Sequence, residues 1–125
     1  MKKSLLMLIS TFFLSVQAMA VEFKAFNQAE FESLMQQGKP ILVDAYANWC
    51  PTCKRQLKVL EPMLKEEAFA DLTAFKLDYD TEKQALKEFG ISRQSTLILF
   101  NQGKEVRRSI AETQADRLRQ FITLP

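Results

Sequence analysis

The stretch ILVDAYANWCPTCKRQLKVL, residues 41–60, most constrains what this chain can fold into. Its first seven residues are a short, nearly continuous apolar run, as expected of a strand buried on both faces. From Cys50 onward the pattern turns helical, with Leu57, Leu60 and Leu64 at three- and four-residue steps, out to about Phe69. The only two cysteines of the chain, Cys50 and Cys53, stand where the strand ends and the helix begins. In open sheets with crossover helices, sites gather at that carboxyl edge.

The flanking sequence completes an α/β order. Asn27, with Glu30 three residues later, reads as a capped helix start, and Phe26 with Phe31 fits a hydrophobic staple. Gly38 and Pro40 end that helix. Pro62 falls inside the long helix and predicts a kink or break near Glu61. Phe75, Leu77 and Tyr79 alternate with Lys76 and Asp78, which reads as a strand. Thr81 with Gln84 starts another helix and Gly90 closes it. Residues 96–100 and 105–110 read as two strands of a hairpin around Asn101-Gln102-Gly103-Lys104. Ala111, Ala115, Leu118 and Ile122 mark one face of a terminal helix. The order is helix, strand, helix, strand, helix, hairpin, helix. It predicts a single α/β domain with a central mixed sheet flanked by helices.

The first twenty residues do not share this pattern. Lys2 and Lys3 make a positive start, residues 5–16 are mostly apolar, and Ala18-Met19-Ala20 supplies small residues at a cleavage position. The apolar run is 12 residues long, against the roughly 20 that span a bilayer. Residues 1–20 are therefore read as a secretory signal peptide and residues 21–125 as the domain, soluble after cleavage without stable membrane insertion and periplasmic or otherwise exported. Without Lys2 and Lys3, 15 basic residues face 15 acidic ones. A neutral domain without a basic run gives no reason to propose nucleic acid as a partner. The chain has no histidine, which removes the commonest general base and metal ligand.

Three readings compete for the cysteine pair. A purely structural disulfide would enclose only Pro51 and Thr52, at the weak end of the entropic scale. A structural zinc site wants four protein ligands, and this chain offers two cysteines without histidine. A redox pair explains the placement. A helix start favours an anion, so a thiolate at Cys50 is stabilised there and is the attacking species. Cys53, one turn on, is near enough to attack a mixed disulfide formed by Cys50. Asp44, inside the apolar strand, is either an edge carboxylate reaching solvent or a buried carboxyl of raised pKa that exchanges a proton with Cys53. Lys76 either pairs with Asp44 across the sheet or lies on a solvated face. Trp49 either shields the sulfurs and offers an apolar contact surface or simply packs.

ILVDAYANWCPTCK is similar to the active-site strand and loop of the thioredoxin family, with Asp44, Trp49, Cys50, Cys53 and Lys54 in matching places. FKLDYD resembles the strand that carries the family's buried lysine, here Lys76. EFGISRQSTLILFNQGKEV resembles the segment with the last hairpin. The likeness runs over nearly all of residues 23–124. It implies a thioredoxin fold and dithiol–disulfide exchange, with Cys50 as nucleophile, Cys53 as resolving thiol and a redox-active Cys50–Cys53 disulfide. It also implies a substrate groove around Trp49, Pro51, Thr52, Ser95 and Thr96.

The chain departs from the family at specific points. Ser95 stands where the family has a cis-proline facing the cysteines, and a cis bond before a non-proline costs roughly 2.5–4 kcal/mol. A trans bond there predicts a wider groove. The family's glycine after the hairpin is absent, with Ser109 and Ile110 near its place. The dipeptide between the cysteines is Pro51-Thr52 in place of Gly-Pro, and about one extra helical turn separates Cys53 from Pro62.

The leading expectation is an exported thiol–disulfide oxidoreductase that reduces or isomerises disulfides of oxidised protein substrates. It would be a monomer, fed by a membrane electron carrier and needing no cofactor or metal. The alternative is a metal-binding module in which space beside the two thiolates admits Cu(I) or an iron–sulfur cluster. A redox-dead recognition domain is disfavoured by the presence of both sulfurs.

Overall fold

The computed structural model describes residues 11–15 and 20–125. The greater part of the expected signal segment, residues 1–10 and 16–19, lies outside the described residues. The chain runs through β1 (Phe23–Ala25), α1 (Gln28–Gln36), β2 (Ile41–Tyr46) and α2 (Pro51–Leu64). A short 3₁₀ turn (Glu67–Phe69) leads to β3 (Thr73–Asp78), α3 (Lys83–Glu88), β4 (Thr96–Asn101), β5 (Lys104–Ile110) and α4 (Ala115–Ile122). The five strands form one mixed sheet in the order β1-β3-β2-β4-β5. β1, β3 and β2 are parallel, and β4 and β5 join antiparallel. This is the predicted mixed sheet flanked by helices.

Alternation along β2 sorts the core into two layers, because successive strand side chains point to opposite faces. Leu42 packs with Leu60, Met63 and Leu64 of α2 and with Leu118, Phe121 and Ile122 of α4. Ile41, Val43 and Ala45 pack on the other face, with Phe31 of α1 and Leu86 of α3. Residue parity puts Asp44 on the α2 side with Leu42. Its register partners are Lys76 on β3 and Leu97 on β4. Both neighbours of β2 are strands, so the solvent-reaching edge position open to Asp44 in the sequence is not realised.

Local signals mostly hold. Asn27 Oδ1 accepts the Glu30 N–H at 2.8 Å, and Phe26 and Phe31 meet with ring centroids 5.8 Å apart. The Glu30 carboxylate turns to Lys24 instead of closing a capping box. Gly38 and Gly90, at φ +69° and +65°, end α1 and α3 in the left-handed conformation that glycine adopts freely. Gln102 and Gly103, both at positive φ, make the tight turn between β4 and β5.

Four expectations are corrected. Pro62 does not break α2, which continues to Leu64. Proline removes one helical hydrogen bond, but here it sits in the last turn, where Leu60, Met63 and Leu64 are fully or almost fully buried. The helix ends at Leu64, and Phe69 belongs to the 3₁₀ turn beyond it. Thr81 and Gln84 do not cap α3, which starts at Lys83 after Glu82. Asp78 Oδ1 instead accepts the N–H groups of Asp80 and Thr81 at 2.9 and 3.3 Å, and that turn delays the helix. Ala111 lies in the loop before α4 with φ +60°, not on the helix face.

Candidate active site

Cys50 is the N-cap of α2. Its Sγ accepts the Cys53 N–H at 3.1 Å, satisfying one of the donors that a helix start leaves unpaired. Pro51 follows at the first helical position, where its missing N–H costs nothing. Both cysteines are free thiols. Cys50 keeps 4% exposure and Cys53 none, so an incoming disulfide meets Cys50 first.

The two thiols are shifted in opposite directions. Burial alone would raise Cys50. Hydrogen bonds from the Cys53 and Ser95 side chains and from the Cys53 and Thr52 backbone outweigh it, and the net shift is downward. Cys53 is pushed up, first by burial and then by holding its proton towards Cys50.

Asp44 is fully buried beside them on the α2 side of the sheet. Neither of its carboxyl oxygens has a hydrogen-bond partner among the described residues. Burial raises its pKa from 3.8 to about 7, against the opposing pull of Lys76. Lys76 is its register partner, yet of the two readings open to it the direct ion pair is not formed. The Lys76 ammonium lies over the Tyr46 ring instead, 4.5 Å from the centroid. Covering an aromatic face leaves the ammonium half in water, where it keeps its hydration.

Trp49 is 58% exposed, with its indole N–H fixed on the Asp80 carboxylate at 2.9 and 3.2 Å. It therefore presents a rigid apolar surface at the rim. Pro51 is exposed and Thr52 half-buried beside it. Thr96 is buried, and its hydroxyl donates to the Arg93 carbonyl at 2.7 Å, so it shapes the loop and does not line a groove.

Ser95 is also buried, at 1% exposure. The described residues contain no cis peptide bond, and Ser95 takes φ +62°. Its Oγ stands 3.0 Å from Cys53 Sγ and 3.4 Å from Cys50 Sγ. This hydroxyl is thus within hydrogen-bond reach of both sulfurs. Its N–H donates to the Ala45 carbonyl at 2.8 Å, and its own carbonyl accepts the Ala111 N–H at 3.0 Å.

Sequence reasoning missed Gln56. It is fully buried, and its amide donates to the Ser95 carbonyl at 3.3 Å and the Glu112 carbonyl at 3.0 Å. The available signal was a polar residue three positions after Cys53, on the apolar stripe of α2. Ala111, also missed, takes the left-handed conformation that a glycine would take without strain.

A family model described as thioredoxin matches residues 22–124. The chain belongs to the thioredoxin family. It is 41% identical over 83 residues to a thioredoxin of Chlamydia muridarum, covering 66% of this chain and 79% of that one. A thioredoxin of Mycobacterium tuberculosis is 41% identical over 89 residues, 70% of this chain and 76% of its own. Among solved structures, Trxlp from Edwardsiella tarda superposes with a TM-score of 0.80 at 47% identity, covering 82% of this chain and all of that one. This thioredoxin-family chain has the thioredoxin fold and is a thiol–disulfide oxidoreductase.

Proposed function

We propose that the protein reduces disulfides of oxidised protein substrates through Cys50 and Cys53. The observation that carries this reading is the placement of two adjacent thiols at a helix start, Cys50 capping α2, accepting the Cys53 N–H and reaching the surface while Cys53 is fully buried. The Cys50 thiolate attacks one substrate sulfur. A Cys50–substrate bond forms, the substrate disulfide breaks, and its second sulfur leaves as a thiolate that takes a proton from solvent. Cys53, deprotonated, then attacks Cys50 Sγ. The Cys50–Cys53 bond forms, the mixed disulfide breaks, and the first substrate sulfur leaves as a thiolate. Two electrons pass from the pair to the substrate.

Asp44 takes the Cys53 proton in this reading. It is supported by burial on the same side of the sheet and by a pKa of about 7, suited to proton exchange near neutrality. No direct hydrogen bond joins Asp44 to Cys53 among the described residues, so the proton crosses an intervening group. The exposed Trp49 and Pro51 supply the surface on which an extended substrate segment rests. Cys53→Ser should accumulate a mixed disulfide through Cys50 with an oxidised protein substrate, because resolution is lost. Trapping through residue 53 in a Cys50→Ser variant, with none through Cys50, would reverse the roles.

Export belongs to the same proposal, with a membrane carrier as electron donor. Its support is the charged start, the short apolar run and the small residues at 18–20. Phe12, Phe13 and Leu14 are at least 82% exposed and add nothing to the core. Among the described residues no helix is long and apolar enough to cross a membrane. Expression of the full chain in a bacterium should yield a periplasmic protein beginning at Val21. A cytoplasmic product retaining Met1 would contradict export.

A further inference from the structure

Ser95 has more hydrogen bonds than a groove residue needs. Its backbone N–H is committed to Ala45, and its carbonyl to both Ala111 and Gln56. Neither backbone group is free to pair with a substrate. Three elements, β2, α2 and the loop before α4, thus fix this one residue in a left-handed conformation that serine adopts only under constraint. Those contacts aim the hydroxyl at the two sulfurs, at 3.0 and 3.4 Å.

A hydroxyl has one proton to donate and two lone pairs to accept with. Between two thiols, one of which ionises, this sets an order. In the free dithiol the Cys53 thiol holds its one proton towards Cys50 while the Ser95 O–H donates to the Cys50 thiolate. When Cys50 enters a mixed disulfide, its sulfur is neutral and the demand for a donor moves to Cys53. The hydroxyl rotor turns about its Cβ–Oγ bond, with no movement of the backbone.

We infer that Ser95 is a catalytic residue whose O–H donates to whichever sulfur carries the charge: Cys50 in the free dithiol and Cys53 during resolution. The inference rests on the exchange chemistry proposed above and extends it to a third side chain. No atom is transferred to or from Ser95, which contributes a hydrogen bond in each step and keeps its proton. The downward shift of Cys50 agrees with this donor. Because the reduced pair is held as a thiolate, the hydroxyl also makes the disulfide easier to reduce.

The test compares the parent with Ser95→Ala and Ser95→Gly, each freshly reduced. Ser95→Gly removes the hydroxyl but suits the positive φ, so it separates hydrogen bonding from backbone strain. Iodoacetamide alkylation of Cys50 is followed against pH, and the reduction potential is measured against glutathione. In both variants the alkylation midpoint should move to higher pH and the rate at pH 6 should fall about tenfold, the size expected for loss of a hydrogen bond to a charged group. The potential should become more negative. An unchanged midpoint and potential in Ser95→Gly would overturn the inference. A parent that reduces an oxidised protein disulfide while the variants titrate unchanged would sink this inference alone. A parent that reduces none would sink the proposed function itself.

Discussion

Asp44→Ala is expected to stabilise the protein at alkaline pH, by on the order of 4 kcal/mol for a shift of about three pKa units. The carboxyl titrates near 3.8 when unfolded and about 7 when folded. The folded state therefore binds this proton more tightly, and unfolding releases it. Stability is lost as pH rises from about 4 through 7, and the full penalty is present above about 8. Removing the carboxyl removes the penalty, so the gap between variant and parent should widen with pH. Urea unfolding at pH 4 and pH 8.5 measures it, and an equal gap at both would return Asp44 to an ordinary carboxylate. The same carboxyl serves the chemistry. Asp44→Asn should slow disulfide reduction at neutral pH by about a hundredfold, the lower end of general acid–base contributions.

The aromatic layer on the other side of the sheet should behave in the opposite way. Phe31 sits edge-on to Phe89 and Phe100 with centroids 5.1 Å away, and is 6% exposed. Phe31→Ala removes a large buried ring from a packed cluster, at an expected cost of about 3–5 kcal/mol. It lies across the sheet from Asp44, so turnover per folded molecule should be unchanged. Unfolding midpoints and turnover corrected for folded fraction give both values. A variant that keeps its stability but loses turnover would show that the two layers are not independent in this way.

Much of this division was legible in residues 41–60. An apolar run ending in two cysteines and a helical stripe places the pair, and Asp44 stands out because a carboxylate is rare in such a run. Local periodicity carries that information. β1 was missed because three residues are too few to show a period, and its pairing with β3 is set by contacts about fifty residues apart. Gln56 looked like one polar residue on a long helix. Its role depends on loops 39 and 56 residues away. Ser95 was singled out by resemblance alone, and its contacts with both sulfurs were not legible in the sequence. The trans backbone turns the serine hydroxyl into the space between the sulfurs. Trp49 and Lys76 were singled out from the sequence, but not their contacts. Their partners, Asp80 and the Tyr46 ring, are set by how the β3–α3 turn and the sheet edge pack.

The division of labour between the two thiols is the central claim, and their separate titration tests it most directly. Reduced protein comprising residues 21–125 is alkylated with iodoacetamide across a pH series, and mass spectrometry scores each cysteine. Cys50 should react at a pH below the ordinary thiol value of 9.0, and Cys53 only above it. Faster alkylation of Cys53, or two cysteines that titrate together near the ordinary value, would contradict the assignment of Cys50 as the nucleophile.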